Sequence, residues 1–158
     1  MFCEKCGKEL TTKNLINEGS IPYCEECDRY VFPKTSLAAL VILSNSDNEV
    51  LLLKQKSVND YYVLIAGYHK PGENMEETAI RETKEETNLD IVNIKYIESY
   101  YYEKKDSVMF VYHGVCDITR FELDITEVDD AKWFPIDEVT SKLRPGSIGE
   151  RALKKFIG

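Results

Sequence analysis

No stretch of the sequence approaches the roughly 18 consecutive apolar residues that a membrane-crossing helix requires, so no membrane partner is expected. No basic leader followed by an apolar run is found at the start, which reads MFCEKCGKEL, so no secretory signal is read and the cytoplasm is the expected location. Basic charge is in deficit: 20 Lys and Arg face 28 Asp and Glu, a formal charge of −8. That balance disfavours a protein whose affinity rests on neutralising nucleic-acid phosphates, while a local basic patch is compatible with it. It favours divalent cations, because clustered carboxylates need positive charge to relieve their repulsion. Internal repeats and low-complexity linkers are absent. What remains is ordinary globular composition, 43% hydrophobic and 30% charged over 158 residues, enough for one main core and a small appendage.

Four of the five cysteines lie before residue 28, as Cys3-x-x-Cys6 and Cys24-x-x-Cys27 with a spacer of 17 residues. Two such pairs at this separation follow the zinc pattern, each tight turn presenting two thiolates to a tetrahedral Zn²⁺ shell. A disulfide framework is at odds with the absent signal, and a redox pair leaves the second C-x-x-C unit unexplained. A closed four-cysteine shell has no open coordination position, so its expected role is structural. About thirty residues cannot bury a sufficient core, and metal binding would supply the folding free energy. Cys116, alone inside an apolar run, reads as a packing residue. The composition changes at Tyr30-Val31-Phe32-Pro33, which divides the chain into a zinc ribbon at 1–33 and a main domain at 34–158.

In the main domain, Leu37 to Leu43 and Glu49 to Leu53 read as a hairpin across a polar turn. Further strands are expected at Tyr61 to Ala66, Ile91 to Tyr102, Val108 to Cys116 and Ala131 to Phe134. Helices are expected at Asn74 to Asn88, Ile136 to Lys142 and Ser147 to Phe156. Several strands with few helices indicate an α/β domain with a mixed sheet covered by helices.

The chemically informative segment is GYHKPGENMEETAIRETKEETNL, Gly67 to Leu89. Asn74 and Glu77 form an Asn version of the capping box and start the helix. Met75, Ala79, Ile80 and Thr83 make an apolar stripe, and Glu82, Glu85 and Glu86 share a face at i, i+3 and i+4 beside it. Three like charges there ask for a hard divalent cation with oxygen ligands. A solvated acidic face screened by Arg81 accounts for the spacing equally well.

Gly67, Glu73, Arg81-Glu82, Glu85-Glu86 and Leu89 resemble the Nudix box, G-x5-E-x7-R-E-U-x-E-E-x-G-U, where U is aliphatic. The resemblance implies a Nudix-type α/β/α sandwich with a mixed β-sheet, preceded here by the four-cysteine zinc ribbon. It also implies Mg²⁺- or Mn²⁺-dependent hydrolysis of a nucleoside diphosphate linked to another group. By the same resemblance Glu82, Glu85, Glu86 and the Gly67 carbonyl are the metal ligands, and Glu73 pairs with Arg81. Asn88 replaces the final box glycine, and Asn is the next best residue in the left-handed conformation. Thr83 replaces an aliphatic residue and still suits the stripe.

A zinc ribbon ahead of such a domain resembles the NADH pyrophosphatase branch of the family, and the Pro145 to Leu153 segment resembles that branch's closing motif. The downstream signature of that branch matches in frame at Ser99, Ser107 and Met109, while its interior reads Tyr100 to Lys105. Tyr68 stands where the branch carries an aromatic that stacks on its ligand, and Lys70 can reach a phosphate as a point charge. Tyr100 and Tyr102, on one strand face, can stack on a base or serve as ordinary sheet aromatics. Glu127, ahead of Asp129-Asp130-Ala131-Lys132-Trp133-Phe134, resembles the family's later acidic residue and is a candidate general base, with a solvated turn carboxylate as the other reading. The expected partner is a small nucleotide, NADH or NAD giving two mononucleotides. Triphosphates, nucleotide sugars, a capped RNA 5′ end, or nucleotide binding without turnover are the alternatives. The branch suggests a homodimer.

Overall fold

The computed structural model describes residues 1–55, 60–124, 126 and 128–158. Glu127, the candidate base, lies outside the described residues. The chain divides into two compact units, Met1–Thr35 and Ser36–Gly158.

The first unit is a three-stranded antiparallel sheet of β1 (Thr11–Leu15), β2 (Gly19–Cys24) and β3 (Arg29–Tyr30). Its buried hydrophobic residues are Cys3, Tyr23 and Cys24, too few for a conventional core. Gly7 at φ 73 and Asp28 at φ 48 turn the chain directly after the two C-x-x-C units. The Gly7 N–H donates to the Cys3 carbonyl at 2.8 Å, closing the first turn.

The second unit is built on β4 (Ser36–Ser44), β5 (Glu49–Gln55), β6 (Ile65–Tyr68), β7 (Asn93–Tyr102), β8 (Ser107–Val115) and β9 (Val128–Pro135). The order is β7-β8-β4-β5-β9, with β6 also paired to β4. β4 runs parallel to β8 from Ser36↔Ser107 to Ser44↔Val115, and the other pairs are antiparallel. A central strand beside a parallel partner is buried on both faces, and Ala38 through Leu43 are all buried.

The sheet separates two apolar clusters. Ala39, Val41, Leu43 and Ile65 pack with Ala79 of α1 (Met75–Thr87), and Leu40, Ile42 and Val111 pack with Ala152 and Leu153 of α2 (Ile148–Ile157). This is the α/β/α sandwich with a mixed sheet. The expected Ile136 to Lys142 helix is reduced to a 3-10 turn at Val139–Lys142, where the Ser141 hydroxyl bonds back to the Glu138 carbonyl at 2.7 Å. The expected third strand is displaced: Tyr62 and Val63 make only isolated bridges, and ladder pairing begins at Ile65 and runs past Ala66 to Tyr68.

Candidate active site

β6 and α1 meet along the Gly67 to Asn88 segment. The Asn74 side chain accepts from the Glu77 N–H at 2.9 Å, and the Glu77 carboxylate accepts from the Asn74 N–H at 2.7 Å. Two donors left over at the helix start are thereby satisfied. At the other end Asn88 adopts φ 56, ψ 17 and its N–H returns to the Lys84 carbonyl, the geometry a glycine would supply.

The buried face of α1 comprises Thr78, Ala79, Glu82, Thr83, Glu86 and Thr87. Ile80, expected in the apolar stripe, is 41% exposed. The packing face is rotated toward the glutamates because β6 crosses there with a glycine at the contact. A Cβ placed on Gly67 would lie 1.8 Å from Glu82 Cδ. Three threonines serve this face without leaving buried hydroxyls unpaired: Thr78, Thr83 and Thr87 each donate to the carbonyl four residues back, at 3.0, 2.9 and 2.6 Å.

Arg81 is the hub of the site. Its Nε donates to both Glu73 oxygens at 2.9 and 3.2 Å, its Nη2 to the Tyr68 carbonyl at 2.9 Å, and its Nη1 to Glu85 at 2.9 Å and to Glu82. Burial works against its charge, yet the carboxylates of Glu73 and Glu82 outweigh that and hold the guanidinium above its ordinary value. Arg81 in turn holds the Glu73 carboxyl below the usual range. Glu85 is also lowered: burial raises it, and Lys70 and Arg81 together overcome that. The Lys70 ammonium lies 3.1 Å from Glu85 Oε1. The loop between Gly67 and the helix is tied by His69 Nε2, 2.8 Å from the Glu73 carbonyl.

Glu82 and Glu86 are 8% and 2% exposed, while Glu85 faces solvent. Counting Glu73, Glu82, Glu85 and Glu86 against Arg81 and Lys70, four carboxylates meet two cations and leave a formal charge of −2. Oxygen donors, that charge and a glycine cradle at Gly67 fit a hard divalent cation. The glutamates share a face without forming a closed ligand set. Among the described residues the four cysteines are the one group of His, Cys, Asp or Glu whose ligand atoms all lie within 4.8 Å of one another.

In that group Cys6 and Cys24 sulfurs lie 3.5 Å apart, close to the ~3.8 Å separation of two thiolates on one tetrahedral zinc. The N–H groups of Cys6 and Lys5 lower the Cys3 thiol to about 6, whereas burial raises the Cys24 thiol and the Cys6 sulfur beside it pushes the Cys27 thiol up to about 12, so the fit to a metal rests on the spacing of the sulfurs. The sulfurs therefore fit Zn²⁺. No disulfide links the five cysteines.

Of the candidate substrate residues, Tyr68 is half exposed and adjoins the site through its carbonyl. Lys70 is engaged by Glu85, and Tyr100 lies under Arg151, whose Cζ is 4.7 Å from the ring centroid. Tyr102 lines a cavity of about 560 Å³ between the sheet and the start of α2, with Tyr62, Ala66, Met109, Arg144 and Arg151. Ala66 and Gly67 are consecutive in β6 and point to opposite faces, so cavity and carboxylates flank one strand. Tyr62, Arg144 and Arg151 line the cavity without having been singled out individually in the sequence, although Arg151 lies in the Pro145 to Leu153 segment; the Tyr62↔Leu143 bridge that helps to gather them has no local sequence pattern.

No described helix is long and apolar enough to cross a membrane. The chain is 29% identical over 138 residues to the NAD-capped RNA hydrolase NudC of Pseudomonas entomophila, covering 87% of this chain and 49% of that protein. It is 28% identical over 158 residues to the NAD-capped RNA hydrolase NudC of Vibrio parahaemolyticus, covering 99% of this chain and 59% of that one. The chain thus spans between 49% and 59% of the length of these relatives. The crystal structure of a NUDIX hydrolase from Nitrosomonas europaea has the same fold, with a TM-score of 0.73 at 21% identity over 99% of this chain and 89% of that one. The NUDIX domain profile matches residues 34–155, nearly all of the second unit, and the chain belongs to the Nudix hydrolase family.

Proposed function

We propose that the chain is a divalent-metal-dependent pyrophosphohydrolase that splits NADH- or NAD-like dinucleotides into two mononucleotides. The observation that carries this reading is the α1 face with Glu82, Glu85 and Glu86, seated on Gly67 at one side and fastened by Arg81 at the other. Those glutamates, with the Gly67 carbonyl, would hold Mg²⁺ or Mn²⁺. A divalent ion there supplies charge neutralisation to the diphosphate and a lowered pKa to a nearby water.

The chain's own residues do the rest. Arg81 fixes the directions of Glu82 and Glu85, and Glu73 fixes Arg81, so the carboxylates are pre-oriented. Lys70 carries a cation at the rim of the same face, within reach of a phosphate. Glu127, in the acidic stretch of sequence before β9, is the residue proposed to take the proton from the attacking water. Tyr62 and Tyr102 offer aromatic faces to the nucleoside in the cavity beyond Ala66. In this reading residues 1–33 hold a structural Zn²⁺ through Cys3, Cys6, Cys24 and Cys27, ahead of the hydrolase domain at 34–158.

The names of the two NudC relatives support an NAD-type substrate and favour one second reading, an NAD-capped RNA 5′ end. The test is chromatography of products after incubation with Mg²⁺ and NADH, NAD, NAD-capped RNA, ADP-ribose or nucleoside triphosphates. Mononucleotides from NADH or NAD are expected, and release from none of these compounds refutes the proposal.

A further inference from the structure

The cavity beside α2 has a charge opposite to that of the chain. Its lining includes Lys104, Arg144 and Arg151, and no described Asp or Glu, although acidic residues outnumber basic ones 28 to 20 overall. All three cations are exposed at the cavity rim, above Tyr62, Tyr102 and Met109. Of the carboxylates nearby, Glu150 binds Lys154 at 2.7 Å and the Gly146 N–H at 2.7 Å, Asp106 accepts from the Tyr101 hydroxyl at 2.8 Å, and Glu98 binds Lys155 at 2.8 Å while its charge also acts on Arg151; Glu103 adjoins Lys104 in the sequence.

The rim is also partly pre-organised. Arg151 lies over the Tyr100 ring, which limits the orientations of its planar guanidinium. Arg144 follows Leu143, which is 3% exposed and bridges to Tyr62. Two arginines and a lysine around an aromatic-lined cavity match an anionic phosphate group attached to a nucleoside with a flat ring system. The diphosphate that is cleaved belongs at the carboxylates on the other side of β6, so it does not account for these cations.

We propose that the Lys104, Arg144 and Arg151 rim receives a phosphate additional to the scissile diphosphate, carried on the ribose of the nucleoside in the cavity. The preferred substrates are then ribose-phosphorylated nucleotides. This rests on the pyrophosphohydrolase reading and narrows its substrate class. The ribose phosphate has two sources, a 2′-phosphate on a free dinucleotide or the 3′-phosphodiester of an RNA chain.

The test is calorimetric titration of the full chain in Mg²⁺ with 5′-AMP, adenosine 2′,5′-bisphosphate and adenosine 3′,5′-bisphosphate, none of which has a diphosphate to be cleaved. At least one bisphosphate is expected to bind about tenfold tighter than AMP, an advantage that shrinks with added salt. In Arg144→Gln/Arg151→Gln the ratio should fall below about twofold, and the Arg→Lys pair should retain part of it. Preference for the 2′ isomer assigns the phosphate to a free dinucleotide, and preference for the 3′ isomer to an RNA 5′ end. Equal affinities for the three ligands, no binding of any, or a ratio unchanged in the Gln variant overturn the proposal. If NAD is cleaved while the bisphosphates show no advantage, this inference fails and the pyrophosphohydrolase reading stands. If the advantage is present and no diphosphate compound is cleaved, the reverse holds.

Discussion

Replacing Gly67 with alanine tests whether the seat of Glu82 matters. The new methyl carbon would stand 1.8 Å from Glu82 Cδ, against the 3.4 Å of an ordinary contact, so the carboxylate must retreat by about 1.6 Å. The obstructed group is the end of a side chain rather than backbone, and the fold survives its displacement. The loss is the Arg81–Glu82 ion pair, 21% and 11% exposed on its two sides, at about 1–2 kcal/mol. That lowers Tm by about 3–6 °C. Function should suffer far more, since a misplacement of about 1 Å at a reacting centre can cost about 100-fold. The assay is kcat/KM for dinucleotide cleavage at saturating Mg²⁺, beside thermal denaturation, with Glu82→Gln for comparison. Both variants should lose about 100-fold in kcat/KM. A Gly67→Ala enzyme with more than half of wild-type kcat/KM refutes the reasoning, because Glu82 would then act from a different position.

Arg81→Met should destabilise by about 2 kcal/mol in urea titrations, since it removes the counter-charge of Glu73 and Glu82 together; an unchanged midpoint contradicts this. Glu73 is held by Arg81 below its ordinary value of 4.5, so its contribution to stability is complete above that pH and is lost as pH falls through the lowered folded value. The acid limb of the stability curve should therefore be shallower in Arg81→Met, and parallel limbs would dismiss the linkage. Asn88→Gly should be neutral or stabilise by up to about 0.5 kcal/mol, and Asn88→Ala should cost about 1 kcal/mol, because position 88 sits at φ 56. Mercurial titration of the cysteines should release one zinc per chain and collapse the amide dispersion of residues 1–35 while that of residues 36–158 persists; released metal without that collapse would refute a structural role.

The elements most legible in the sequence were those whose residues decide locally. The Asn74–Glu77 cap and Asn88 mark both ends of α1, and the Leu37 to Leu43 run announces a strand buried on both faces. The limits are equally specific. Gly67 falls just past the expected Tyr61 to Ala66 strand, yet it pairs with Ala39 inside β6, at a point where any Cβ would collide with Glu82. Ile80 scores as apolar and lies outside, while Glu82 and Glu86 lie inside, since the α1 face is chosen by the strand it meets rather than by its own hydrophobicity. The parallel β4–β8 pairing and the cavity between Tyr62, Tyr102 and Arg151 join residues far apart in the chain, and no periodicity encodes such meetings. The glutamate spacing was visible at once. The screening by Arg81 was visible too, but that Lys70 shares Glu85 with it was not, because Lys70 reaches Glu85 only after the loop folds back.

The most direct measurement is electron paramagnetic resonance of Mn²⁺ titrated into the zinc-loaded, nucleotide-free chain, wild type beside Glu82→Gln/Glu86→Gln. The account predicts saturable Mn²⁺ binding in the wild type that the double variant weakens by at least about tenfold. Equal Mn²⁺ binding by the two proteins would contradict the claim that this face of α1 holds the catalytic metal.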